Sequence, residues 1–279
     1  MRRPLSAIGS PAPARMIGAR ARGPTKPKDA ILFDNPRGGV RSGGMTSRAF
    51  PRDALGGDRL TAIAGTSTAP KSQAAATSVE RAFHAADGPS TFARGYLDHL
   101  RDVLDRIDVT AIDRVVETLL AARAEDRTIF VLGNGGSAAT AAHLVNDFAG
   151  GTPNSGRFRI FSLVDNAALL SAAANDHGYD TVFVRQLEGI LRPRDVVIAI
   201  SASGNSPNVV RAVAHANAVG AITIGLTGFD GGELRRLVQI DLHVPTHHGE
   251  YGPAEDAHLA LAHVITNYLR LSARRASAR

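Results

Sequence analysis

Cysteine is absent from the chain, which excludes disulfides, thiolate nucleophiles and cysteine-ligated metals at once. Lysine is nearly as scarce, with Lys26, Lys28 and Lys71 as its only copies. Everything after residue 71 lacks one, so Schiff-base chemistry, pyridoxal phosphate attachment and a Walker-type lysine are excluded there. No apolar run approaches the roughly 20 residues of a membrane span, and no apolar stretch of about 7–15 residues marks a secretory signal. A cytoplasmic protein with no membrane partner is therefore expected. For chemistry there remain His, Asp and Glu, acting on protons or on a metal.

The charge of the chain is unevenly divided. Residues 1–85 are rich in Pro, Gly, Ser, Ala and Arg, show no sustained periodicity, and hold 14 of the 32 Lys and Arg but 5 of the 26 Asp and Glu. That segment carries +9, the remainder −3, and the overall +6 is a property of the tail. Residues 1–88 are accordingly expected to form a disordered basic tail, and residues 89–273 a single folded domain. The tail reads first as an inert extension or the product of an upstream start codon, then as a transit-like leader or a regulatory arm. With the basic charge confined to it, nucleic acid is not expected as a partner of the domain.

Within the folded part, apolar residues at helical spacing (Tyr96, Leu100, Val103, Leu104, Ile107, then Ile112, Val115, Val116, Leu119) predict two leading helices over 92–106 and 109–124. They would cover a sheet edge or a subunit interface. Short β-rich runs at 128–132, 158–163, 195–200, 221–226 and 240–244 then alternate with helical segments at 137–149, 167–174, 179–191, 207–219, 232–237 and 253–271. Buried strands separated by helices pair in parallel. The expected fold is α/β, a three-layer αβα sandwich around a five-stranded parallel sheet, with the ligand site beyond the carboxyl ends of the strands.

Two polar loops interrupt this pattern, Gly133-Asn134-Gly135-Gly136-Ser137 after the first strand and Ser201-Ala202-Ser203-Gly204-Asn205-Ser206 after the third. Each delivers the chain through a tight turn into a helix whose free N–H groups and positive dipole end point at one spot. The two loops are rich in hydroxyls and lack a basic side chain, so they predict a neutral cradle for a phosphorylated small molecule.

Acid–base and metal candidates lie on two helices. His143 and Asp147 are four residues apart and stack on one face. On the last helix Glu255 and His263 lie about 80° apart around the axis, whereas His258 and His263 are about 140° apart. Glu255 and His263 can thus serve one site, and His258 is expected to be a solvated or interface histidine. His143, Asp147, Glu255 and His263 together suit Zn²⁺ or another divalent ion, or without a metal a general acid–base pair. Asn175 and Asp176 could meet substrate hydroxyls or simply end a helix. His247 and His248 read as exposed loop histidines.

These stretches, with Ala174-Asn175-Asp176-His177-Gly178-Tyr179, Arg192-Pro193-Arg194-Asp195, residues 200–208 and Ile224-Gly225-Leu226-Thr227-Gly228, resemble the sugar isomerase (SIS) domain proteins of the phosphoheptose isomerase group. The resemblance spans about residues 92–271 and leaves out the tail. It implies a cytoplasmic, zinc-dependent homotetramer with active sites between subunits and one Zn²⁺ per subunit. The implied reaction of heptose biosynthesis converts sedoheptulose 7-phosphate to D-glycero-D-manno-heptose 7-phosphate by C1/C2 proton transfer through an enediol. By the same resemblance Asn134, Gly135, Gly136, Ser137, Ser201, Ala202, Ser203 and Ser206 would hold substrate, the serines chiefly its phosphate, and Asn175 and Asp176 the sugar. His143, Asp147, Glu255 and His263 would bind metal, with Asp147, His263 and Glu255 catalytic.

Three positions depart from the family pattern: Asp147 stands for the catalytic glutamate, Glu255 for a metal-binding glutamine, and Ala202 for the middle threonine of a Ser-Thr-Ser loop. Aspartate withdraws the carboxylate by about 1.5 Å, one C–C bond, and Glu255 could compensate from the other side. The chain could therefore act on a related phosphosugar. Two rivals follow. Altered catalytic positions fit a non-catalytic SIS protein of the kind that associates with the replication initiator. A nucleotide-dependent oxidoreductase fits G-x-G-x-x-A over Gly133 to Ala138, with Asp165 after the next strand, but leaves the serine loop unexplained.

Overall fold

The computed structural model describes residues 76–149 and 157–278. Residues 1–75, most of the expected tail, lie outside it. Five strands, β1 (Thr128–Gly133), β2 (Arg159–Ser162), β3 (Val196–Ser201), β4 (Ile222–Thr227) and β5 (Ile240–His243), form one all-parallel sheet in the order β2-β1-β3-β4-β5. The three inner strands have six residues each and the two edges four.

The inner strands are buried nearly throughout because both faces are covered, and alternation divides their side chains between two layers. Ile129 and Val131 of β1 and Val196, Ile198 and Ile200 of β3 face one layer, built from α3 (Thr110–Ala124), α4 (Gly136–Ala149) and α9 (Tyr251–Ser277). Phe130 and Leu132, with Val197 and Ala199, face the other, built from α5 (Ala167–His177), α6 (Val182–Leu187), α7 (Pro207–Val219) and α8 (Gly232–Leu237). The three-layer α/β sandwich expected from the sequence is thus present.

Two differences from expectation concern boundaries. A helix α1 (Ser78–Ala85) forms inside the stretch expected to be tail. Its signal is a capping box, in which Thr77 Oγ1 accepts from Glu80 N at 3.2 Å and Thr77 N donates to the Glu80 carboxylate at 2.7 Å. Helix α2 (Pro89–Asp105) follows, and its Val103 packs with Val244, Ala257 and Leu261. The helix expected over 179–191 breaks into a 3₁₀ turn (Tyr179–Thr181) and α6, while Leu191 turns back into the core beyond it.

Candidate functional site

In a doubly wound sheet the ligand crevice opens where successive crossovers leave in opposite directions. Here that point lies between β1 and β3, which pair from Ile129↔Val196 to Gly133↔Ile200. Both polar loops leave from it, Gly133–Ser137 into α4 and Ser201–Ser206 into α7. In the second loop Gly204 has φ +64, and a Cβ there would lie 1.9 Å from the Gly231 carbonyl oxygen, so only glycine fits. Ser201 is buried and its Oγ accepts from Gly204 N at 3.1 Å. Ser206 is the N-cap of α7 by its backbone, half-buried and with no side-chain capping bond. Ala202 turns its side chain into a small cluster with Phe229 and Ala254, so the methyl in place of a hydroxyl fills a packed site.

Two turns into α4, His143 meets His263 of α9, Nε2 to Nε2 at 2.8 Å. Asp147 Oδ2 lies 3.6 Å from His143 Nε2. One ligand atom from each of the three falls within 4.8 Å of the others. Thr266, one turn beyond His263, has its hydroxyl 3.3 Å from Asp147 Oδ2 and 3.0 Å from the Ala262 carbonyl oxygen of its own helix, the nearer of the two acceptors. Sequence reasoning passed over Thr266, although its place three residues after His263 puts it on the same face. At 2.8 Å two imidazole nitrogens are compatible only if one donates its N–H or both turn lone pairs on a cation. Two imidazoles and a carboxylate, half-exposed at the surface, are a fitting donor set for a divalent ion.

Glu255 lies outside this cluster. Eight residues before His263 on the same helix, it stands about 12 Å back along the axis, and its carboxylate comes down on the N-terminus of α4. A Cβ built on Gly136 would lie 2.2 Å from Glu255 Oε2 and 2.5 Å from Oε1. Burial, helped by the neighbouring Asp256, pushes its carboxyl above the usual range.

His258 corrects an expectation. It is neither solvated nor at an interface but wholly buried within the subunit, with Nε2 at 3.2 Å from the Thr227 carbonyl oxygen and no partner for Nδ1. It falls on the stripe Ala254, Ala257, Leu261, Ala262, Ile265, Leu269 that α9 presents to the core, so helical spacing required it there. Burial pushes its imidazole down to about 4. Asn175 and Asp176 close α5 at the surface, with Asn175 Nδ2 donating to Asp176 Oδ1 at 2.8 Å. His247 is exposed and His248 lies against Phe229, ring centroids 5.2 Å apart.

Comparison with known proteins converges on one family. A model of the SIS domain matches residues 95–228. The phosphoheptose isomerase of Syntrophotalea carbinolica is 38% identical over 184 residues, 62% of this chain and 90% of that protein. The chain belongs to the SIS-domain family. Within it, the phosphoheptose isomerase of Mycobacterium tuberculosis is 35% identical over 169 residues, 59% of this chain and 84% of that protein. The phosphoheptose isomerase GmhA of Neisseria gonorrhoeae, a solved structure, has 29% identity and a TM-score of 0.59, covering 64% of this chain and 97% of that one. A phosphoheptose isomerase from Francisella tularensis, at 20% identity and TM-score 0.60, shows the shared fold. The strand order also departs from the 3-2-1-4-5-6 of dinucleotide-binding domains, which removes the structural support for the oxidoreductase rival.

Proposed function

We propose that this SIS-domain protein is an aldose–ketose isomerase of a phosphorylated sugar, sedoheptulose 7-phosphate first among the candidates, giving D-glycero-D-manno-heptose 7-phosphate. The observation that carries the reading is the His143–Asp147–His263 cluster two turns beyond a hydroxyl-rich loop at the switch point of the sheet. Phosphoheptose isomerases among its relatives supply the substrate class.

In this reading Ser137, Ser201, Ser203 and Ser206 receive the phosphate, with the N-terminal N–H groups of α4 and α7 behind them. Gly135 and Gly136 let the backbone approach the ligand, and Asn175 and Asp176 take sugar hydroxyls. His143, Asp147 and His263 would hold a divalent ion, zinc by resemblance, and Glu255, two turns away, stands apart from it. When bound, that ion supplies Lewis-acid polarisation of the sugar's O1 and O2. Of the residues themselves, Asp147, with the Thr266 hydroxyl beside it, takes the C1 proton of the ketose. The ketose thereby becomes an enediolate, His263 moves the O1 hydroxyl proton to O2, and the proton held by Asp147 returns at C2 to leave the C1 aldehyde. Glu255, its carboxyl raised by burial, is a second proton store at the phosphate end.

The active unit is proposed as a homotetramer with the site between subunits. Val264, Tyr268 and Leu271, all more than half exposed or at half on the face of α9 beside His263, offer the apolar surface a second subunit would cover. The test is direct. Purified protein with added zinc should isomerise sedoheptulose 7-phosphate and exchange its C1/C2 protons with D₂O. No turnover or exchange across a panel of heptose, hexose and pentose phosphates would sink the reading, and a metal-free protein indifferent to phosphosugars would favour the binding-only rival.

A further inference from the structure

The side-chain amide of Asn134 makes three hydrogen bonds within the protein, which fill both acceptor positions of its oxygen and use one of its two N–H donors. Its Nδ2 donates to Asn208 Oδ1 at 2.8 Å, and its Oδ1 accepts from Asn208 Nδ2 at 2.9 Å and from Tyr179 Oη at 3.0 Å. Val209 N donates to the same Asn208 Oδ1 at 3.0 Å. That bond fixes which end of the Asn208 amide is oxygen, and the reciprocal pair then fixes Asn134.

Three segments far apart in sequence meet at this one amide. Asn134 belongs to the loop between β1 and α4. Asn208, buried to 2% exposure, is in the first turn of α7, into which the Ser201–Ser206 loop leads. Tyr179 directly follows the stretch that carries Asn175 and Asp176. The Asn134–Asn208 pair ties the two serine-bearing loops to each other, and the Tyr179 hydroxyl ties the sugar-side segment to both.

We propose that Asn134 is a positioning residue, whose amide holds the phosphate cradle and the Asn175–Asp176 segment in register through Asn208 and Tyr179. The proposal rests on the phosphosugar reading for the identity of the ligand that spans them. It makes an unequal demand on ligands. A ligand that touches only the cradle is insensitive to where the sugar-side segment sits, whereas one that bridges the two requires both in place.

The experiment uses the full chain and two probes, inorganic phosphate and sedoheptulose 7-phosphate, with binding measured by calorimetry. Tyr179→Phe removes one hydroxyl from a ring that is 58% exposed, so the melting temperature should stay at the wild-type value. Phosphate affinity should be unchanged, while phosphosugar affinity should fall about two- to tenfold, the worth of one hydrogen bond. Asn208→Ser loosens the cradle too, and there both affinities should fall. Equal phosphosugar affinity in wild type and Tyr179→Phe, or a parallel loss for both probes in that variant, overturns the proposal. A wild-type chain that binds neither probe overturns it together with the phosphosugar reading. Binding that depends on Tyr179 without isomerisation leaves the positioning role standing and refutes the enzyme.

Discussion

At the scale of single residues, Gly136 and Glu255 form a pair that neither alone would reveal. The carboxylate occupies the space a Cβ of residue 136 would need. Gly136→Ala should therefore push the Glu255 carboxylate, the free end of a flexible side chain, aside and cost about 0.5–1 kcal/mol in urea unfolding, the scale of an off-rotamer side chain. Gly136→Ala combined with Glu255→Ala should recover most of that loss, and an additive double variant would show the contact to be unimportant. His258 makes a second prediction. Above pH 6.5 it is neutral folded or unfolded. As pH falls toward about 4 the unfolded chain takes up a proton the folded chain refuses, so stability falls by about 1.4 kcal/mol per unit, roughly 3 kcal/mol in all. Replacing it with leucine removes this acid limb, and the Thr227 carbonyl keeps its bond from Val244 N at 2.8 Å. Thermal melts of His258→Leu and wild type between pH 7 and 4 should diverge accordingly. The residue types of the site were legible because loop glycines and serines and the i, i+4 pair are local patterns. The burial of His258 and the hydrogen bonding of Asn134 depend on partners 31 and 74 residues away, which no local pattern reports.

Among the elements, α9 organises the site and Glu250 anchors its start. The Glu250 carboxylate is buried and accepts from Ser78 N at 2.6 Å, His247 N at 3.1 Å and His99 Nε2 at 3.0 Å. Burial alone would raise its carboxyl. The bonds from His247, His99 and Ser78 outweigh that and hold it below the usual range. One side chain thus joins α1 and α2 to the helix that bears Glu255 and His263. Glu250→Ala strands three donors and should lower stability by about 1–3 kcal/mol, with hydrogen exchange rising first in α1. Unchanged protection there would show that α1 is held by other contacts. The elements themselves were legible from apolar periodicity, and five strands fall where it puts them. The offset of Glu255 from the metal-type cluster was not, because angular position around a helix omits the rise along it.

For the whole molecule, the decisive fact is that the two loops leave neighbouring strands at the switch point while the His–His–Asp cluster lies on helices of one outer layer. A site so placed opens at the surface of the subunit. If the proposed tetramer forms through this face, Tyr268→Glu, which sets a charge on the exposed face of α9, should give smaller species than wild type in analytical ultracentrifugation and lower isomerase activity in parallel. Activity unaffected by dissociation would refute a site shared between subunits. Chelation makes a further prediction. If the cluster holds a divalent ion in the folded state alone, a chelator should lower the melting temperature of wild type and leave His143→Ala where it is.

The sheet ends in two four-residue strands flanking three of six residues, and those edges carry Arg159 and Asp241. Such short, charged margins offer a passing chain few backbone groups to pair with. The sheet is thereby poorly suited to growth by strand addition, so any contact between copies would fall to the helices, the exposed apolar face of α9 among them.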